Sequence, residues 1–358
     1  MSKTIFVFPV SGGYFVNQIT YLCEYLIATN SKPDVSMGSS GGNFVSYLGE
    51  STEWNTNGIL SSIEKIDSTI FIQKDDSGYT LGVMSSFYTA LGLFKSSFYK
   101  HSTSESNVYM QDMIRSSAKG IYSKTEIWTG TFNKMRSKTH NFCNKNERES
   151  IFKNNTEYNE IVHCMPHTYM NGDADIIINV SRASAAIPLF VPNIDINDEL
   201  YMDGGVFYAS PLPSFKGQLS EMIKNENIHI VYFSSCNLNK NIYKAPTGNV
   251  IDQSKLILSL MGISISIQDR NSAVDLLYFL GKKIYFKEIL GDVNNLSLYY
   301  NIAKKQKSSV IEIYPVFNKC IDLVSFTSSD VKSLMNFGRK NYKIKLWYVK
   351  EGEMNEAE

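Results

Sequence analysis

Apolar and polar positions alternate in blocks over the first fifty residues. Thr4–Val10 is a continuous apolar run, which is typical of a strand covered on both faces of a sheet. After a Ser-Gly-Gly turn, apolar side chains recur at helical spacing over Phe15–Ile27 and predict an amphipathic helix. Asp34–Met37 is a second short strand, and a second helix begins near Asn43. A right-handed crossover would make the two strands parallel and bring both glycine turns to one edge of the sheet.

The pattern is clear again after about residue 170. Asp175–Val180 fits either a buried strand or the entry to a helix. Ile228–Ser234 and Val310–Pro315 are predicted strands of the core, and residues 251–290 are predicted to form one or two helices. Ser325–Gly338 combines capping residues, an amphipathic pattern and a final glycine, so a helix is predicted there.

Residues 51–169 are less regular, because their apolar segments alternate with polar loops. We interpret this region as a largely helical insertion, or cap, that follows the second strand–helix unit. His163 and His167 lie four residues apart there and could share a helix face, but apart from Cys164 no ligand pattern accompanies them. The sequence therefore predicts no metal site and no cofactor.

The turn between the second strand and the second helix is a candidate for nucleophilic chemistry. Residues 38–42 read Gly-Ser-Ser-Gly-Gly and fit the pattern Gly-x-Ser-x-Gly of a nucleophile elbow, in the strand–turn–helix context that such an elbow requires. The register indicates Ser40 as the nucleophile, with Ser39 as its adjacent rival. Because glycine- and serine-rich turns between a strand and a helix are common, this motif needs support from the rest of the chain.

Two other turns could supply that support. The backbone N–H groups of Gly12 and Gly13, between the first strand and the first helix, could donate to a developing oxyanion, although a plain tight turn has the same sequence. Asp203 precedes two glycines, which fits an ordinary hairpin turn. The same turn could instead hold a carboxylate on a rigid corner, where it would deprotonate a neighbouring hydroxyl.

Composition narrows the class of protein. The 358 residues are 43% apolar, enough to bury a core, and the 35 basic residues balance the 35 acidic ones. A net charge of zero provides no global field for nucleic acid, so we expect no nucleic-acid partner and only local, peripheral contact with membranes. The five cysteines form no Cys-x-x-Cys pair, and no signal peptide or transmembrane segment is recognisable. We therefore expect a cytoplasmic protein with reduced thiols.

The order of these motifs resembles that of the patatin-like phospholipases, a family of lipid acyl hydrolases. A glycine loop is followed by Gly-x-Ser-x-Gly, then by Ala-Ser-Ala-Ala-Ile-Pro at 183–188, then by Asp-Gly-Gly at 203–205. The resemblance covers about 1–50 and 170–340 and includes the closing helix. It implies an α/β fold of three layers, α/β/α, with a mostly parallel central sheet. The implied single domain spans 1–345, with its core at 1–50 and 170–345, the insertion at 51–169, and a polar tail at 346–358.

The resemblance also implies chemistry for individual residues. Ser40 would be the nucleophile and Asp203 its base, and Gly12, Gly13 and the amide of Gly41 would form the oxyanion hole. Such a dyad would cleave lipid or phospholipid esters through an acyl-enzyme, as a phospholipase A, lysophospholipase or lipase. The residues independently favour a dyad over a triad, because no motif places one of the five histidines (101, 140, 163, 167 and 229) beside the elbow.

The first glycine loop departs from the family pattern, which has three glycines followed by a basic residue. Ser11 stands at the first of these positions, and Tyr14 or Phe15 replaces the basic residue. Backbone donors survive such changes, but a site for anionic head groups would be weakened. Two alternatives therefore stay open: a catalytically weak or inactive lipid-binding protein with this fold, and an esterase of the α/β-hydrolase type with a Ser-His-Asp triad.

Overall fold

The computed structural model describes residues 2–70, 72–74, 99–118, 125–145, 149–153, 162–164, 174–188, 191–237, 264–280, 283–319, 321–322 and 326–350. Its strands are β1 Ser2–Phe8, β2 Val35–Ser39, β3 Ile72–Lys74, β4 Tyr99–His101, β5 Glu126–Asn133, β6 Lys138–Cys143, β7 Val162–Cys164, β8 Ile194–Ile196, β9 Glu199–Asp203, β10 Asn227–Phe233, β11 Ile284–Leu290, β12 Ser308–Pro315 and β13 Tyr342–Val349. Its helices are α1 Phe15–Thr29, α2 Gly41–Ser51, α3 Thr56–Ile63, α4 Glu105–Ala118, α5 Ala174–Ser184, α6 Lys216–Asn225, α7 Val293–Lys304 and α8 Ser328–Gly338. Residues 264–275 are also helical.

One mixed sheet forms the centre of the described structure. Its strand order is β11-β13-β12-β10-β1-β2-β5-β6-β7, and β9 pairs with both β5 and β8. The five central strands, from β12 to β5, run parallel. Toward the edges, β13 pairs antiparallel with β12, β11 pairs antiparallel with β13, and β6 pairs antiparallel with β5. The predicted mostly parallel sheet is confirmed.

Strand β1 shows why the layers lie on both faces of the sheet. Phe6 and Phe8 pack into one hydrophobic cluster with residues of α1, α2, α7 and α8. Ile5 and Val7 point to the opposite face, where they pack into a second cluster with residues of α6. Because successive side chains of a strand point to opposite faces, a continuous apolar run is needed to serve two helical layers. The three-layer α/β/α arrangement follows from this pattern.

The region predicted as a largely helical insertion contributes strands to the main sheet. β5 pairs in parallel with β2 from Val35 and Glu126 onward, and β6 continues the sheet beyond it. The sequence of β5 hid this role, because Thr129, Thr131 and Asn133 interrupt its apolar run although all eight residues are buried. Buried polar groups are tolerated when they are hydrogen-bonded, and the Thr131 hydroxyl donates to a carbonyl oxygen of β6. Residues 126–143 thus belong to the main sheet, and the other described elements between residues 52 and 125 are α3, α4 and the two-stranded sheet of β3 and β4.

Other boundaries also differ from the sequence expectation. Ile284–Leu290 is an edge strand paired with β13, although helices were predicted over 251–290. β13 extends through Val349, beyond the predicted start of the tail at 346, because Leu346 and Val349 are fully buried. The predicted strands near 228 and 310 and the predicted closing helix are confirmed. The ambiguous segment at 175–180 is helical.

Two surveys of the described residues bear on membranes and metals. No helix there is both long enough and apolar enough to cross a bilayer. No group of three or more His, Cys, Asp or Glu side chains there could hold a metal ion. The side chains of His163 and His167 lie outside the described part of the chain.

The topology brings three turns to one edge of the sheet. The carboxyl ends of β1 and β2, which are parallel neighbours, lie at this edge and lead into the first glycine loop and into α2. β2 ends at Ser39, opposite Gly130 of β5, and β9 then takes its place beside β5, with Asp203 opposite Thr131. Asp203 therefore enters the sheet directly beyond the tip of β2.

Candidate active site

Ser40 occupies a sharp turn between β2 and α2. Its backbone angles are φ 55° and ψ −130°, which is a strained conformation for a residue other than glycine. A Cβ atom on Gly42 would lie 2.1 Å from the carbonyl oxygen of Phe8, and one on Gly38 would lie 2.6 Å from the carbonyl oxygen of Gly42. Only glycine allows backbones to approach so closely, so the Gly-x-Ser-x-Gly pattern is a requirement of this turn.

Ser184 of α5 fastens the turn to the sheet. Its hydroxyl accepts the backbone N–H of Ser40 at 3.0 Å and donates to the carbonyl oxygen of Gly130 at 2.7 Å. All three groups are buried, so both hydrogen bonds lie in a medium of low dielectric constant. Ser184 therefore links the backbone of the strained Ser40 to strand β5.

A second polar network holds the first turn of α2. The Asn43 side chain donates to the Ser181 hydroxyl at 3.0 Å and accepts from the Thr129 hydroxyl at 2.7 Å. The Tyr47 hydroxyl lies 3.3 Å from that of Thr129. Since Ser181 lies one helical turn before Ser184, one face of α5 fixes both the turn and the helix that follows it.

Asp203 is brought to this turn by the close contact of two glycines. A Cβ atom on Gly204 would lie 2.5 Å from the carbonyl oxygen of Gly130, so β9 can join β5 here only with glycine at that position. The backbone N–H of Asp203 donates to the carbonyl oxygen of Ala186 at 3.1 Å. Its carboxylate accepts the N–H of Gly205 at 2.7 Å, and the Ser40 side chain lies close enough to lower the pKa of that carboxylate. The alcohol and the carboxylate thus meet in one site.

The pKa of the Asp203 carboxyl group is shifted toward neutral pH. Burial raises its pKa from the ordinary 3.8 to about 7, although the hydrogen bonds from Gly205 and Ser40 lower the pKa in part. A general base works best when its pKa lies near the working pH. An ionised Asp203 could therefore accept the proton of the Ser40 hydroxyl.

The first glycine loop lies against the residue that follows Ser40. Gly12 has φ 47° and begins a short 3-10 turn that continues directly into α1. A Cβ atom on Gly41 would lie 2.3 Å from Ser11 Oγ and 3.4 Å from the carbonyl oxygen of Gly12. Gly13 lies in the same turn, and its carbonyl oxygen accepts the N–H of Ile321 at 3.3 Å. The loop residues and Gly41 therefore lie close together, next to the start of α2.

Phe15, one of the two residues that replace the basic position of the first loop, is a core residue. Its side chain is fully buried, and its ring packs edge-on against that of Phe44 at 5.9 Å. A charged side chain could not take this place without losing its hydration.

A small cavity opens at Ser40 between α2, β4, α4 and α5. Its apolar lining is Phe44, Met110 and Ala185, and its polar lining is His101, Asn107, Ser181 and Arg182. The cavity therefore combines a short apolar surface with one guanidinium group, which lies close enough to His101 to lower the pKa of that imidazole together with burial. Sequence reasoning did not connect α4 or Arg182 with the site.

The rival serine lies in different surroundings. Ser39 is the last residue of β2, and its hydroxyl is buried with no hydrogen-bond partner among the described residues. That hydroxyl faces Gly130, where a Cβ atom would come within 2.3 Å of it, and the ring of Pro211 lies on the same side. It has no described carboxylate partner.

Histidines with described side chains make their hydrogen bonds elsewhere. His101 Nε2 lies 3.2 Å from the carbonyl oxygen of Pro192. His140 pairs with Tyr201, and His229 pairs with Ser309. Within the described residues, no hydrogen bond joins a histidine to Ser40 or to Asp203.

Ser184 and Gly130 were not identified as site residues from the sequence. A usable signal was present for Ser184, because Ser181 and Ser184 are small polar residues spaced three apart, which places them on one face of a helix. Gly130 carried no such signal, since its role depends on the pairing of β5 with β2 and β9.

Comparison with known protein families agrees with this geometry. A family model described as patatin-like phospholipase matches residues 12–216, more than half of the chain, from the first glycine loop to beyond the Asp-Gly-Gly turn. A search of curated protein sequences found no match. On the family match, the chain belongs to the patatin-like phospholipases, a family of lipid acyl hydrolases.

Proposed function

We propose that this protein hydrolyses the carboxylic esters of lipids through a catalytic dyad of Ser40 and Asp203. The observation that carries the proposal is the placement of the buried Asp203 carboxylate beside Ser40, directly beyond the tip of β2. A serine hydroxyl is a weak nucleophile until a neighbouring base takes its proton. Here the base is Asp203 itself, and among the described residues no imidazole is hydrogen-bonded to either group.

The first half of the reaction forms an acyl-enzyme. Asp203 takes the proton from Ser40 Oγ as that oxygen attacks the ester carbonyl carbon. The carbonyl oxygen becomes an oxyanion, which accepts hydrogen bonds from the N–H groups of Gly12, Gly13 and Gly41. The C–O bond to the alcohol then breaks, and Asp203 returns the proton to the departing alcohol. Water repeats the sequence in the second half and releases a fatty acid and free Ser40.

The position of Ser40 supports this role of the oxyanion donors. Ser40 immediately precedes α2, so the amide of Gly41 is the first N–H of that helix and has no acceptor within it. The positive end of the helix dipole favours negative charge at the same point. Together these groups would stabilise the charge that develops in the transition state.

The cavity supports a lipid ester as the substrate class. Phe44, Met110 and Ala185 provide apolar surface for the start of an acyl chain, and Arg182 provides a cation for an anionic group beside it. Phospholipids and lysophospholipids carry both features.

We place the core of a single domain on the main sheet and treat α3, α4 and the paired strands β3 and β4 as its cap.

Labelling by a fluorophosphonate probe tests the proposal directly. We expect the wild-type protein to react through one serine, and Ser40→Ala to abolish both labelling and hydrolysis of a p-nitrophenyl ester and of phospholipid vesicles. Ser39→Ala is the matched control, because it removes the adjacent hydroxyl and should keep both activities. Loss of labelling in the Ser39 variant alone would identify Ser39, and not Ser40, as the nucleophile. A wild-type protein that neither labels nor hydrolyses any ester would be the non-catalytic lipid-binding form.

A further inference from the structure

Ser11 carries a buried hydroxyl that the described structure does not satisfy. The residue is 5% exposed, and its Oγ has no hydrogen-bond partner among the described residues. Burying a hydroxyl without a partner destabilises a folded protein, because the group loses its hydrogen bonds to water. One explanation for such a buried hydroxyl is that its hydrogen-bond partner is present only during the reaction.

The local backbone does not use this hydroxyl. Ser11 precedes the 3-10 turn Gly12–Tyr14, a position where a serine side chain commonly accepts a backbone N–H. No such side-chain bond is formed, and the Tyr14 N–H donates instead to the backbone carbonyl oxygen of Ser11 at 2.8 Å. The serine side chain is therefore not needed to form the turn.

The hydroxyl lies against Gly41, whose amide is one of the proposed oxyanion donors. Ser11 Oγ is 2.3 Å from the point that a Cβ atom on Gly41 would occupy, so it is in contact with the Cα of that glycine. In a helix the Cα–Cβ direction is tilted toward the N-terminus. Ser11 Oγ therefore lies toward the N-terminal end of α2, which is also the end that Ser40 occupies.

We propose that Ser11 donates a side-chain hydrogen bond to the oxyanion, in addition to the backbone N–H groups. The inference rests on the proposed function of Ser40. As the ester carbonyl oxygen gains negative charge, the Ser11 O–H group rotates toward it and donates a hydrogen bond. No proton is transferred in this step. The bond forms only in the transition state, because that is when the charged acceptor is present, so it raises kcat and leaves ground-state binding unchanged.

Ser39 is the natural control for this inference. Its hydroxyl is also buried and also lacks a described partner, but it faces Gly130 of the neighbouring strand β5 and the ring of Pro211. Removing either hydroxyl relieves the same kind of desolvation penalty. The two serines should therefore have similar effects on stability and different effects on catalysis.

The experiment compares Ser11→Ala, Ser11→Gly and Ser39→Ala in the full-length protein. We expect both Ser11 variants to lower kcat for a p-nitrophenyl ester by roughly 10²-fold, with KM changed less than about twofold. The rate of fluorophosphonate labelling should fall in parallel, because the phosphonyl oxygen occupies the oxyanion position. Ser11→Ala and Ser39→Ala should both melt at or above the wild-type temperature, and Ser39→Ala should retain wild-type kcat.

Each outcome separates the two proposals. A folded Ser11→Ala protein with wild-type kcat and labelling rate overturns the role of Ser11 and leaves the Ser40 nucleophile intact. A wild-type protein that is not labelled at all would contradict the proposed hydrolase function itself. If Ser11→Ala melts well below wild type, Ser11→Gly provides the same comparison, and unchanged kcat in that variant also overturns the inference.

Discussion

Two buried pairs of a serine and an aspartate in the described part of the chain can be compared, because their surroundings differ. Ser40 lies beside Asp203 at the elbow, and Ser210 donates to Asp269 at 3.0 Å. Burial raises the pKa of both carboxyl groups from 3.8 to about 7. Judged by the proximity of the two side chains and the pKa of the carboxyl group alone, the two pairs are equivalent.

The second pair lies within a closed structural network. The Ser210 hydroxyl also accepts the backbone N–H of Leu212 at 3.2 Å, and the Asp269 carboxylate also accepts the Tyr232 hydroxyl at 3.0 Å. Ser210 is 1% exposed, so no ester could approach it without unfolding its surroundings. These bonds join the loop after β9 to β10 and to the helical residues 264–275.

The first pair has three features that the second lacks. Ser40 is held in a strained backbone conformation, it precedes the N-terminus of α2, and it lines a cavity. If Ser40 and Asp203 form the proposed dyad, a buried carboxyl with a raised pKa beside a serine is not sufficient for catalysis. Access for a substrate and donors for the oxyanion make the difference.

Exchanging each aspartate for asparagine gives the largest expected contrast. Asp203→Asn should lower kcat by about 10²–10⁴-fold, because the general base is lost. Asp269→Asn should keep kcat within about threefold of wild type, because no step of the proposed mechanism involves Asp269. Ester hydrolysis by the purified variants, with circular dichroism as the folding control, measures the contrast. A folded Asp203→Asn protein with wild-type kcat would exclude the dyad.

The pH profile sharpens the same contrast. Asp203 can accept a proton only when it is ionised, and its pKa is about 7. We expect kcat/KM to fall about tenfold for each pH unit below 7 and to level off above it. The Asp269→Asn variant should show the same midpoint. A midpoint near 4, the ordinary range of an exposed carboxyl, would contradict the burial of the base.

Both carboxyl groups should also affect stability with pH, and in the same direction. Their pKa values are raised from 3.8 to about 7, so between these values the folded state binds protons that the unfolded state has released. The free energy of unfolding contributed by each group therefore falls as the pH rises from about 4 to about 7.

Urea unfolding at pH 5 and pH 8 measures this effect. Relative to wild type, Asp203→Asn and Asp269→Asn should each gain about 2 kcal/mol more stability at pH 8 than at pH 5. Asp275→Asn provides a control variant, because the side chain of Asp275 is 52% exposed and lacks the burial that causes the effect. A slope of opposite sign would mean that these carboxyls are stabilised as anions in the fold.

The smallest expected effect concerns the residue that holds the elbow. Ser184→Ala removes the acceptor of the Ser40 N–H and should lower kcat about tenfold while costing about 1 kcal/mol of stability. Ser181→Ala loses a comparable hydrogen bond to Asn43 and should lower stability with a smaller change in kcat. Equal kcat values in the two variants would show that Ser184 stabilises the fold without positioning the nucleophile.

Much of the fold could be predicted from local pattern. Thr4–Val10 predicted a strand with two covered faces, and the glycines at 38 and 42 predicted a tight strand-to-helix turn. The pattern failed at β5, where buried threonines are satisfied by hydrogen bonds that no local periodicity reveals. It also failed at the end of the chain, where β13 continues the sheet through Val349.

The sequence by itself determined the nucleophile turn, the Asp-Gly-Gly turn and the glycine loop, because each depends on conformations that its own few residues permit or forbid. Only the tertiary structure decided that these turns meet. Asp203 reaches Ser40 because β9 replaces β2 beside β5, a pairing between segments more than seventy residues apart. The raised pKa of Asp203 and the unsatisfied hydroxyl of Ser11 likewise arise from burial by distant parts of the chain, which no short stretch of sequence contains.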